Sequence, residues 1–443
     1  MPLPSLIEIT PLANPVQVQI TVPGSKSITN RALVLAALAD GAVTLRGALW
    51  SEDTQVMVNC LQRLGFGVRV EPEITEPCNR TITVEGCSGK VPRAGTPEEP
   101  LGLFVGNAGT AARFLAAMVC LGEGVYLLHG VPRMHERPQA ALFKALRGLG
   151  YRIDSPNDKL PAIIYGAGPN AGRTAVSIEE SSQFASALIL SANAAGWQIT
   201  ELLGEGDASE LPYVEMTSKL VEAFPRQGGV FQIEADSSSG SYFQAANWLL
   251  QKNGTTPTSV VAVANLPDSK LQIDSAFTRR LHNFDKSERT AGGELILSRR
   301  DDLGDSIMTA IVLAPFGART AKFVHLGRLR VQESDRVLAL HDELLKCGAR
   351  VAMVDYGETL TITPDPNLHG AEIETYNDHR IAMCFAILGL KVSGMRIKNP
   401  ACVKKTFPNF FQKLAAPPPA GLGAIIRDPA TGRELKGEEL FAE

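Results

Sequence analysis

Four short stretches place glycine, small polar side chains and cations directly ahead of apolar runs. They are Pro23-Gly24-Ser25-Lys26-Ser27, Gly106-Asn107-Ala108-Gly109-Thr110, Ser181-Ser182-Gln183 and Asn377-Asp378-His379-Arg380. A helix that starts at such a stretch presents unpaired backbone N–H groups and a partial positive charge, and both favour phosphate or carboxylate. Glycine lets the backbone approach an anion closely. Serine and asparagine are also ordinary helix caps, so one such loop carries little weight. Several in equivalent places point to a shared anion site. Two further clusters add charge: Arg330-Val331-Gln332-Glu333-Ser334-Asp335-Arg336 alternates arginine with carboxylate, and Pro132-Arg133-Met134-His135-Glu136-Arg137-Pro138 sets two arginines between prolines. Taken singly, each reads equally well as a solvated, salt-bridged turn. The GSKS stretch lacks the spacing of a Walker loop, no G-x-G-x-x-G follows a strand, and no histidine pair has metal spacing. The chemistry expected is anion recognition by side chains and helix starts, with no metal and no cofactor.

The elements that must position these groups recur. A polar stretch, an apolar helix of small residues, a turn, a β-rich run and usually a second helix ending near Leu-Gly repeat through the chain. The openings are GSKSITNRALVLAALADG, GNAGTAARFLAAMVCLGEG, ESSQFASALILSANAAG, DSSSGSYFQAANWLL, LGDSIMTAIVLAPFG and YNDHRIAMCFAILGL, with first helices predicted near residues 30, 110, 184, 242, 307 and 380. Six such units in 443 residues predict two α/β domains of three units each. RALVLAALA, ARFLAAMVCL and IAMCFAILGL are apolar on every side, so they are expected to be buried all round.

Composition narrows the partners. With 44% hydrophobic and 20% charged residues the chain is of ordinary globular type, and 43 basic against 47 acidic residues leave a net charge of −4. Nucleic-acid and membrane-surface proteins usually carry a basic excess, so neither class is expected, and an anionic partner must be held by local clusters. The start, MPLPSLIEITPLANP, has no basic segment followed by an apolar core, and no apolar run approaches a membrane span. Seven cysteines form no C-x-x-C pair and read as reduced thiols of a cytoplasmic protein.

The strings VPGSKSITNRALVLAALADG, GNAGTAARFL, PRMHERP, SSQF, RVQESDR, TYNDHRIAMCF and KKTFPNFF, in that order from about Val18 to Leu414, resemble the 5-enolpyruvylshikimate-3-phosphate synthase family. The resemblance implies an enolpyruvyl transferase fold: an inside-out α/β barrel in each of two domains, each of three βαβαββ units, joined by a two-strand hinge. It implies a discontinuous domain of residues 1–21 plus 235–443 and an inserted domain of 22–234, acting as a monomer. Residues 415–443 extend past the last motif and are expected to form a flexible tail.

The implied reaction moves the enolpyruvyl group of phosphoenolpyruvate onto shikimate 3-phosphate by addition and then elimination. Such chemistry needs a cationic cage and acid–base groups. Carried over by motif, Lys26, Gly109, Arg133, Gln183, Arg336, Arg380 and Lys405 would hold phosphoenolpyruvate. Asp305 and Glu333, with Lys26, would be catalytic. Lys26, Ser27, Arg31, Ser181, Ser182, Gln183, Tyr213, Asp305, Arg328 and Gln332 would hold shikimate 3-phosphate. The chain departs from the family pattern at Gln332 (usually Lys), Arg328 (usually Asn) and Glu210 (usually Ser, with Ser209 adjacent), all on the acceptor side. Phe114 replaces a proline and implies a shifted helix after Gly109. These departures leave two other readings open: a transferase of the same fold acting on a nucleotide or UDP-sugar hydroxyl, and a non-catalytic anion-binding homologue.

Overall fold

A segment without a polar face can be accommodated only by burial on every side. In the computed structural model the all-apolar segments are the centres of two helical cores. The structure describes residues 3–203, 211–252, 258–267, 269, 271–284 and 293–443; Ser209 and Glu210 lie outside these. Contacts divide the chain into two units, Met1–Pro23 with Ala235–Glu443, and Gly24–Glu234.

In the unit Gly24–Glu234 the helices are α1 (Lys26–Ala37), α2 (Glu52–Arg63), α3 (Gly109–Met118), α4 (Pro132–Glu136), α5 (Ala140–Gly148), α6 (Ser182–Ala195) and α7 (Leu211–Ala223). Helices α1, α3 and α6 pack on one another at the centre, and every residue of α3 is buried. Three sheets surround them. One runs in the order Gly229–Gln232, Ala42–Leu49, Asn79–Glu85, Val68–Pro72, another Leu101–Phe104, Glu123–His129, Ala162–Ala167, Arg152–Asp154, and the third pairs Gly172–Ser177 with Trp197–Leu203.

The other unit contains α8 (Ser237–Gln251), α9 (Phe277–Leu281), α10 (Ile307–Leu313), α11 (Arg336–Lys346), α12 (His379–Gly389) and α13 (Phe410–Ala415). Here α8, α10 and α12 form the central group. Its largest sheet by strand length runs Leu295–Ser298, Ala321–Val324, Thr359–Thr363, Arg350–Val354. The repeated device is a parallel pair joined through a buried helix: α3, α6, α10 and α12 each cross between two parallel neighbours. Parallel strands need such a crossover, and it puts each helix start at the end of a strand. Among the described residues no sheet closes on itself, and two of the sheets have two strands each.

The expected flexible tail is overturned. Ile426 pairs antiparallel with Ile9, and Ala442 N–H donates to Pro408 O at 2.9 Å. Leu422, Ile426, Leu435 and Leu440 are fully buried in the unit's core. The proline run misleads because aliphatic residues beyond it, spaced irregularly, still have a groove to fill. At about 1.5–3 kcal/mol for each buried aliphatic side chain, deleting residues 416–443 is expected to destabilise this unit severely. Thermal melting or loss of soluble expression would register it; an unchanged melting temperature would refute the docking.

Candidate active site

Gly24 sits where a side chain has no room, since its Cβ position lies against Gly47 O. That close approach brings the start of α1 beside the strand Ala42–Leu49. Lys26, the first residue of α1, places Nζ 3.0 Å from Asp53 Oδ2. Asp53 is almost fully buried in the first turn of α2, where Thr54 Oγ1 reaches back to accept from Ser51 N at 2.8 Å. Sequence reasoning missed Asp53, although an acidic residue in the first turn of a capped helix was visible there.

Arg31, one turn further along α1, is 1% exposed. Its Nε donates to Thr217 Oγ1 (2.7 Å), Nη1 to Ser27 O (3.0 Å) and Nη2 to Ser186 Oγ (3.0 Å). Its guanidinium carbon lies 5.2 Å from the Phe114 ring centroid. Burial lowers its pKa to about 10, so it remains a cation at neutral pH. Its partners are hydroxyls and a carbonyl, none of them charged, which leaves the local field positive. Helix α3 runs unbroken through the buried Phe114. Thr217 in turn donates to Tyr213 O at 2.8 Å, so Tyr213 and Arg31 share one network.

Ser181 caps α6, its Oγ accepting from Gln183 N at 3.2 Å. Ser182 is buried behind it. Gln183 Oε1 is buried with no hydrogen-bond partner among the described residues. Arg133 stands apart from these groups: it lies on the short helix α4, is 38% exposed, and pairs with Glu136 at 2.6 Å. The neighbouring Arg137, named in the same charged cluster but given no ligand role there, instead folds back over the start of α3, with Nη1 donating to Asn107 O at 3.0 Å.

In the other unit the sequence-predicted groups converge. Arg336 is fully buried; its Nε donates to Asp378 Oδ2 (2.7 Å) and its Nη2 to Oδ1 (3.2 Å). Asp378 is also the N-cap of α12, its Oδ1 accepting from Arg380 N at 3.0 Å. Arg336 Nη2 lies 3.0 Å from Glu333 Oε2, Lys405 Nζ lies 3.3 Å from Glu333 Oε1, and Arg336 Nη1 donates to Gln332 Oε1. Arg380 Nη2 sits 3.1 Å from Asp305 Oδ2, and its Nη1 donates to Ser238 Oγ at the start of α8. Arg299 Nη2 approaches Asp305 Oδ1 at 3.5 Å. Glu333, Arg336 and Lys405 thus form one ionic cluster, with Gln332 at its edge, and Asp305, Arg380 and Arg299 a second; Asp378, which pairs with Arg336 and accepts from Arg380 N, joins the two. Arg328 sits earlier on the helical turn Gly327–Val331.

Burial pushes the Asp305 carboxyl up, but Arg380, Arg336 and Arg299 outweigh it and hold it at about 2. Asp274 shows the opposite balance. It is buried, accepts from Ser306 N at 2.7 Å, and is raised to about 7 by burial and by the charge of Asp305. One carboxylate is therefore ionised at every physiological pH while its buried neighbour is poised to hold a proton, a separation typical of sites that move protons.

The profile of the EPSP synthase family (3-phosphoshikimate 1-carboxyvinyltransferase) matches residues 12–227 and 225–414. The 3-phosphoshikimate 1-carboxyvinyltransferase of Opitutus terrae is 38% identical, across 94% of this chain and 98% of the relative. That of Nostoc punctiforme is 35% identical over 92% of this chain and 98% of its own length. Among solved structures, an EPSP synthase from Acinetobacter baumannii superposes with a TM-score of 0.72 at 22% identity, covering 96% of this chain and 100% of the other. The enolpyruvyl transferase NikO from Streptomyces tendae gives 0.65 at 15% identity, with 95% and 98% covered. At these identities the structural likenesses speak for the fold alone.

Proposed function

Because the chain belongs to the EPSP synthase family, we propose that it transfers the enolpyruvyl group of phosphoenolpyruvate to the 5-hydroxyl of shikimate 3-phosphate, releasing phosphate, a step of chorismate and aromatic amino acid biosynthesis. The observation that carries this reading is the ionic network around Asp305 and Glu333, because it supplies both a proton acceptor and a set of cations for an anionic substrate.

Asp305 is already ionised, so it accepts a hydrogen bond from the acceptor hydroxyl and takes its proton as the oxygen attacks C2. The C2–C3 π electrons accept a proton at C3, giving a tetrahedral ketal phosphate. Phosphate then leaves with the C2–O electron pair while C3 loses a proton, and the double bond is restored. In the free protein Glu333 lies against Arg336 and Lys405. A substrate carboxylate that draws these cations to itself frees the Glu333 carboxyl to exchange a proton at C3. Within the unit Gly24–Glu234, Lys26, held by Asp53, supplies a second acid–base group and a cation for the acceptor together with Ser27, Arg31, Ser181, Ser182, Gln183 and Tyr213; within the other unit, Arg328 and Gln332 serve the acceptor. Arg133 joins the donor cage by exchanging Glu136 for the ligand.

Gln332 replaces a cation on the acceptor side and accepts a hydrogen bond from Arg336, while Arg328 brings a guanidinium to the same turn. The charge is relocated within one segment. Phosphate release from phosphoenolpyruvate, measured with shikimate 3-phosphate, shikimate, UMP and UDP-N-acetylglucosamine in turn, tests the acceptor. Release with shikimate 3-phosphate alone is expected; none with it at saturating donor would sink the reading. The enzyme acts as a cytoplasmic monomer without nucleic-acid or membrane partners, and glyphosate inhibits it. A dimer in sedimentation, or full activity at high glyphosate, would count against those two statements.

A further inference from the structure

Along α2, Val56, Asn59 and Arg63 are spaced three and then four residues apart, so they share one face of the helix. That face lines a cavity of about 260 Å³ together with Gly102 and Phe104 of the edge strand Leu101–Phe104 and His129 of the neighbouring strand. No residue assigned above to either substrate lines it. Arg63 Nε donates to Gly102 O at 2.7 Å, which orients the guanidinium. Among the described residues no carboxylate pairs with Arg63, and the His129 ring nitrogens make no hydrogen bond. Arg63 Nη2 lies 3.8 Å and His129 Nε2 3.9 Å from the position that a Cβ on Gly102 would occupy. The missing side chain leaves a gap bordered by two basic groups.

The His129 ring lies against Phe104, with centroids 5.3 Å apart and planes tilted by 56°, and Phe104 keeps 49% of its surface exposed. Burial, and after it His135 and Arg63, lower the His129 pKa, so the free protein holds the ring neutral at neutral pH and Arg63 supplies the charge. An anion seated between them favours the imidazolium, and both groups then donate to it. A carboxylate matches the guanidinium fork. Phe104 and Val56 offer an apolar wall for a flat ring attached to it. The volume lies below the roughly 300 Å³ at which pockets for drug-sized ligands begin, which limits the occupant to about one ring. Phe104 and Val56 also flank Gly106, 4.0 and 3.7 Å from where its Cβ would stand, so the pocket backs onto the loop that leads into α3. We propose that this pocket binds a small aromatic carboxylate, with its carboxylate between Arg63 and His129 and its ring on Phe104, apart from the substrate site.

Benzoate serves as the probe, with acetate and inorganic phosphate beside it. In NMR of the histidine rings, with the His129 signal assigned through His129→Gln, benzoate is expected to raise the His129 pKa, and acetate at the same concentration to raise it far less. Arg63→Met is expected to weaken benzoate binding about 10-fold and to leave turnover without benzoate unchanged. Phe104→Ala should weaken it as well. Gly102→Val keeps both basic groups but fills the gap between them, and the backbone there is not left-handed. It should abolish the His129 response, and it serves if the methionine variant does not fold. Equal benzoate affinity in wild type and folded Arg63→Met, or a full His129 response in Gly102→Val, would overturn the proposal. Acetate as effective as benzoate would remove the ring from it, and phosphate bound more tightly than benzoate would make the site one for phosphoryl groups instead. Displacement of benzoate from His129 by saturating phosphoenolpyruvate and shikimate 3-phosphate would place the probe in the substrate site and end the claim of a separate one.

Discussion

Asparagine in place of Asp305 is expected to lower kcat by about 100- to 10,000-fold, the usual weight of a general base, with donor binding far less affected. Asparagine keeps the shape and one acceptor for Arg380 but cannot take a proton. The expected pH behaviour follows from the same geometry. The folded-state carboxyl is held at about 2, below its unfolded value of about 3.9. Its stabilising contribution is therefore present above about pH 4 and is lost as pH falls towards 2. Asp305 is ionised throughout the neutral range, so its own titration does not shape the wild-type rate there. Any acid limb in the profile near neutrality belongs to another group, such as the buried Asp274, raised to about 7. A folded Asp305→Asn enzyme with unchanged kcat would remove Asp305 from the proton transfer.

Arg336→Met is expected to cost about 3–5 kcal/mol of stability, because it leaves the Asp378 carboxylate buried without its partner. The pair is 2% and 0% exposed and bonded at two points. Removing one charge strands the other and disturbs the cap of α12, which delivers Arg380 to Asp305. Activity should fall as well, since Arg336 also holds Glu333. Asp378→Asn separates the two effects: asparagine is a competent cap and leaves the Arg336 charge in place. The double variant should lose less stability than the sum of the singles, because a single interaction is being removed twice. Denaturant midpoints supply the measurement. Independent, additive losses would show that the pair is not the structural tie it is taken to be.

Much of the fold was legible because its signals are local. Helix starts predicted near 30, 110, 184, 242, 307 and 380 are observed at 26, 109, 182, 237, 307 and 379. Apolarity on every face sufficed for RALVLAALA, ARFLAAMVCL and IAMCFAILGL to be placed at the centre, where their residues are buried. The tail was misread because its apolar residues have no period; only the groove they fill gives them a meaning.

For the loops that opened the reading, residue type and position at a helix start were enough to mark Lys26, Gly109, Gln183 and Arg380 as groups for an anion. Pairing was not encoded there. Lys26 meets Asp53, Arg380 meets Asp305, Arg336 meets Asp378, and Arg137 rather than Arg133 lies over Gly109. A helix or a cap is decided by neighbours a few residues away, so the sequence by itself determined those. An ion pair is decided by which strands lie side by side and by how much water is excluded around them, and the tertiary structure alone decided that.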